Sequence, residues 1–67
     1  MNLDDYKAYL IAFLKEEKDG IKEYEKFISR LKKAGATHEA EIVRSILAEE
    51  KYHVQILEQL LKNVGGE

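Results

Sequence analysis

The sequence predicts an all-α fold, an antiparallel helical hairpin that dimerises into a four-helix bundle. Three observations predict it. Apolar residues recur at alternating steps of three and four along a chain without proline, the period of a helix with one buried stripe. One break, "KKAGAT" at residues 32–37, divides that pattern in two. The chain has 67 residues and no cysteine, so a core too small to stand alone has no disulfide to reinforce it, and a metal, a second copy or both must do so.

Taken in order, helix 1 is expected over about residues 3–34, with Asn2 as its cap and Asp4 and Asp5 in its first turn. Acids there complement the positive end of the helix dipole. The turn falls at about 35–37, where Gly35 suits the left-handed position after a helix and Lys32 and Lys33 face the negative end of the dipole. Thr37 is the expected cap of helix 2, over about 38–63, with Glu39 and Glu41 in its first turn and "NVGGE" as its stop. The whole chain, 1–67, is one two-helix domain.

The stripe of helix 1 reads Leu3, Tyr6, Leu10, Phe13, Glu17, Gly20, Tyr24, Phe27, Leu31, flanked by Leu14, Ile21 and Ile28. That of helix 2 reads Val43, Ile46, Glu50, His53, Leu57, Leu60, Val64, flanked by Ile42, Leu47, Val54 and Leu61. Both are broader than a coiled-coil seam, and two helices make only one layer. A second copy about a two-fold axis is the simplest second layer.

Charge excludes some functions. A net charge of -2, with 36% charged residues of both signs, offers no basic footprint for nucleic acid. No apolar run reaches the ~18 residues of a membrane span, and "MNLDDYKAYL" carries acids where a signal peptide has basic residues. The expected location is the cytoplasm.

Glu17, Glu50 and His53 break the apolar rule. Glu17 lies 18 residues before Gly35, Glu50 15 after it and His53 18 after it. In antiparallel helices this sets all three at similar depth, roughly 22–27 Å from the turn. Buried carboxylates that converge repel and lose hydration, at several kcal/mol per ion unless a partner or metal compensates. Doubled by symmetry, the set offers four carboxylates and two imidazoles, a charge matched by two divalent cations. Glu50 and His53, at i and i+3, project from one face.

A Glu on one helix and Glu-x-x-His on the next, each supplied twice, resembles the ferritin-like di-metal bundle, and the rubrerythrin branch above all. "EKDGIKEY" (Glu17, Tyr24) and "EKYH" (Glu50, His53) carry the likeness, which spans nearly the whole chain as one half of that family's four-helix domain. The resemblance implies a di-iron site, with Mn or Zn as possible occupants, formed between two subunits from Glu17, Glu50 and His53. It implies oxidoreductase chemistry on O₂ or peroxide, as a ferroxidase or peroxide-reducing enzyme, and Tyr24 hydrogen-bonding a ligand carboxylate from outside the ligand set. The family's cysteine-bound rubredoxin-like iron centre has no counterpart here.

The competing reading is a non-catalytic dimerisation module, its central polar layer empty or zinc-filled and serving only to set register. Glu16, Glu23, Glu49 and Tyr52 are expected at the surface and His38 exposed. Gly20, at a cost of roughly 1 kcal/mol relative to alanine mid-helix, serves either to make room beside the metals or to let the helices approach.

Overall fold

The computed structural model describes residues 1–65. Two helices, α1 (Leu3–Lys33) and α2 (Thr37–Gly65), pack together as a hairpin of 49 × 17 × 14 Å. Among the described residues, no helix is long and apolar enough to cross a membrane.

Capping explains the helix ends. Asn2, in extended conformation, accepts the Asp5 N–H at 2.9 Å through its side chain, and Asp4 and Asp5 fill the first turn. At the other end Gly35 adopts φ 79°. Its N–H donates to the Lys32 carbonyl and the Ala36 N–H to that of Leu31, at 3.0 and 2.9 Å. This paired closure is a Schellman motif, which satisfies carbonyls that the helix end leaves free. Arg30, Lys32 and Lys33 supply the basic last turn.

Two expectations about the turn are corrected. Thr37 is the first helical residue rather than the cap; Ala36 precedes the helix, and the Thr37 hydroxyl donates back to the Gly35 carbonyl at 3.4 Å. The Schellman closure ends the turn one residue early and leaves Thr37 inside. Glu39 lies in the first turn, but Glu41 lies beyond it. Helix α1 stops at Lys33 and α2 continues to Gly65; the rest of the expected stop, Gly66 and Glu67, lies outside the described residues.

The covered seam is narrower than the apolar stripe and rotated within it. On α1 the buried or half-buried line runs Lys7, Leu10, Leu14, Glu17, Ile21, Tyr24, Ile28 and Leu31, with Tyr6 and Gly20 also half-buried beside it; on α2 it runs Ala40, Val43, Leu47, Glu50, Val54, Leu57, Leu61 and Val64. Steps of three and four run unbroken along both helices, as in an antiparallel coiled coil. The residues expected to flank the stripe, such as Leu14, Ile28, Leu47 and Val54, therefore face the partner helix. Phe13, Phe27, Ile46 and Leu60, expected within the seam, are exposed. One helix covers only about two positions in seven of its neighbour.

The two faces flanking this seam differ. On one, seven-residue steps align Lys18 with Glu25 and Arg44 with Lys51 and Glu58, and Lys18 pairs with Glu58 across the helices at 3.7 Å. On the other, Phe13, Phe27, Ile46, Ile56 and Leu60 stand exposed. Among the described residues, only Leu10, Leu14, Ile28 and Ala40 are buried in the hairpin. An exposed apolar face, interrupted by Glu16 and His53, thus lies beside a small core.

Gly35 yields a direct test of the turn. Space is open around it, but its positive φ strains any residue with a Cβ. Gly35→Ala should therefore lower stability by about 1 kcal/mol, and Gly35→Asn by less, as read from urea unfolding monitored by circular dichroism.

Candidate metal centre

Glu17, Glu50 and His53 come together half-way along the hairpin. One ligand atom from each lies within 4.8 Å of the others. His53 Nδ1 is 3.6 Å from Glu17 Oε1 and 3.9 Å from Glu50 Oε1. The convergence follows from helix pitch: Glu17 and His53 lie at the same distance along the chain from Gly35, and Glu50, one turn nearer the hairpin turn, adds a carboxylate from the same side of α2.

Burial is less complete than the sequence reading expected. Glu17 and Glu50 are half-buried, their side chains 25% and 22% exposed, whereas that of His53 is 46% exposed. The reason is the rotation of the seam: His53 lies one position outside it, on the apolar face. The cluster therefore opens onto a groove lined by Phe13, Glu16, Glu17, His53, Ile56 and Leu57. It sits at the boundary between the covered seam and the uncovered face.

The cluster is electrostatically unresolved. Among the described residues, Glu17 Oε2 is buried with no hydrogen-bond partner. Glu50 holds its proton above the ordinary carboxylate value of 4.5, first because a protonated Glu50 hydrogen-bonds the Glu17 carboxyl, then through burial and repulsion by Glu17. His53 acts in the opposite direction, and Glu49 adds a further push upward. Two carboxylate oxygens and an imidazole nitrogen within 4.8 Å of one another are a donor set that could hold a divalent cation with oxygen and nitrogen preferences.

The neighbouring residues divide clearly. Tyr24 is half-buried on the α1 seam, two turns from Glu17 toward the hairpin turn. Glu16 is exposed and lines the groove at the rim of the cluster, within the reach expected of this surface residue. Glu23, Glu49, Tyr52 and His38 are exposed, as expected. A Cβ added at Gly20 would meet Glu50 Oε2 at 3.4 Å and no other atom within 4 Å. Of the two uses foreseen for this glycine, room beside the carboxylates is therefore the one the geometry supports.

Comparison with protein-family models, with curated proteins and with solved structures gave no match, so the chemistry of the cluster has to be argued from its own residues.

The raised affinity of Glu50 for its proton fixes the sign of a pH effect. The folded chain binds this proton more tightly than the unfolded chain, so ionising Glu50 costs the metal-free protein stability. That cost is full above the folded pKa, shrinks as pH falls through it, and vanishes below the ordinary value of 4.5. The urea midpoint of metal-free protein should thus rise as pH is lowered from neutrality toward that value. Glu50→Gln should raise the midpoint at neutral pH and flatten its pH dependence.

Proposed function

We propose that this chain is half of a di-metal carboxylate centre, completed when two hairpins join by their apolar faces into a ferritin-like four-helix bundle. The observation that carries this reading is the approach of Glu17, Glu50 and His53 to within 4.8 Å of one another, at the edge of that face. Two copies supply four carboxylates and two imidazoles, the complement of a ferritin-like di-metal site. Their four negative charges balance two divalent cations, which removes the repulsion between Glu17 and Glu50 that each hairpin carries alone.

Each residue has a defined task in this reading. Glu17 and Glu50 neutralise the cations, and the otherwise unpartnered Glu17 Oε2 gains a partner. His53 presents Nδ1 to the cluster, and Tyr24 orients a ligand carboxylate by donating a hydrogen bond. Phe13, Ile56 and Leu57 exclude water from the groove side. Iron is the proposed metal, with manganese and zinc also compatible with the donors; bound iron would supply one-electron chemistry toward O₂ or peroxide. The activity is accordingly that of a ferroxidase or a peroxide-reducing oxidoreductase.

Protein purified from iron-replete cells should sediment as a dimer or a multiple of it, carry about two metal ions per dimer, and change its near-ultraviolet absorption on adding Fe(II) in air. A folded monomer would contradict the shared site. A metal-free dimer, silent toward Fe(II), would instead establish the dimerisation module with a polar layer.

Glu50→Leu separates ligand from structural residue. It should abolish metal binding while leaving the metal-free dimer as stable as the wild type or more so, since it replaces a half-buried carboxylate that faces another with apolar volume. A sharp drop in metal-free stability, measured by thermal unfolding, would make Glu50 structural.

A further inference from the structure

We propose that Gly20 is a positioning residue for the Glu50 carboxylate, leaving open the space beside Oε2 so that the group can set its orientation toward a metal; this rests on reading the cluster as a metal site. Gly20 lies mid-way along α1, where glycine destabilises a helix relative to alanine. Its place there is not explained by helix packing. Apart from its own helix and chain neighbours, a Cβ at Gly20 would find one heavy atom within 4 Å, Glu50 Oε2 at 3.4 Å. No backbone atom of α2 comes that close.

The two oxygens of Glu50 thus have different surroundings. Oε1 faces His53 Nδ1 at 3.9 Å, whereas Oε2 lies over Gly20. A methyl group at Gly20 would stand at contact distance from Oε2. It would fill the space in which the carboxylate turns and set hydrocarbon against an oxygen that needs a cation, a proton or water. Metal-free protein tolerates that contact, because 3.4 Å is ordinary packing. Bound metal does not, because ligands are held to a narrow geometry by what surrounds them.

The test compares Gly20→Ala with wild type, both stripped of metal and titrated with Co(II), whose visible spectrum reports ligand geometry. The expected result is at least a tenfold loss of Co(II) affinity with an altered spectrum, the dimer retained and the metal-free thermal midpoint equal or higher. In a Glu50→Gln background the same substitution should produce no further loss. Ala12→Gly, at an exposed α1 position away from the cluster, should lower the midpoint and leave Co(II) affinity unchanged. Equal affinity and spectrum in Gly20→Ala would overturn the proposal while leaving the metal site standing. A lower midpoint with loss of the dimer would make Gly20 a packing residue and overturn it too. Wild type that takes no Co(II) would remove the metal reading itself.

Discussion

Two helices in contact can cover only one narrow stripe of each other, and the rest of this structure follows from that limit. The apolar stripes of α1 and α2 are wider than the contact between them, so packing divides each stripe. Leu10, Leu14, Ile21 and Ile28 go inside with Leu47, Val54 and Leu57; Phe13, Phe27, Ile46, Ile56 and Leu60 stay out. Much of the uncovered half gathers on one side, where seven-residue columns hold Phe13 and Phe27, and Ile46 and Leu60; Lys18, Glu25, Arg44, Lys51 and Glu58 occupy the opposite one, with Ile11 exposed among them. A hairpin built this way has a wet side and a side fit for burial.

The position of the polar cluster gains meaning from that division. Glu17 and Glu50 belong to the covered seam, His53 to the uncovered face, so the set straddles both. Apolar residues hold the helices together on either side of it: Leu10 and Leu14 toward the open end, Ile28 and Leu47 toward the turn. These layers let the centre of the hairpin carry a defect in packing without losing its register. The same arrangement fixes the depth at which Glu17 meets Glu50, because the Schellman turn at Gly35 leaves no slack between the helices.

Much of this was legible in the sequence, for reasons that differ by residue. Asn2 and Gly35 announce the helix ends because capping and positive φ are local demands, met by few residue types. The meeting of Glu17 with Glu50 and His53 was legible because helix rise is constant and the turn is short. The rotation of each helix within its stripe was not. A stripe three or four positions wide is compatible with either edge facing the partner, and only packing in three dimensions decided for Leu14 over Phe13 and for Val54 over His53. The exposure of His53 and the role of Thr37 were misjudged for this kind of reason, since each turns on a one-position shift. The contact between Gly20 and Glu50 is beyond sequence reading, because it depends on where one carboxylate oxygen lies.

The electrostatics of the cluster bear on the choice between a ligand set and a polar layer that only sets register. A register layer works when its polar groups satisfy one another, so that correct pairing is favoured over slipped pairing by the hydrogen bonds it completes. Here the hairpin leaves Glu17 Oε2 buried without a partner and raises the proton affinity of Glu50 against its neighbour's charge. Docking a second copy by the apolar face would bring two more carboxylates to the same depth and remove water from all of them. That step aggravates the repulsion unless positive charge enters with it. Among the described residues the basic side chain within 4 Å of both glutamates is His53, at 3.6 and 3.9 Å, one imidazole for two carboxylates. Under the proposed reading, association through this face and the binding of cations would therefore be coupled by charge, and a dimer formed here would gain most with the site filled.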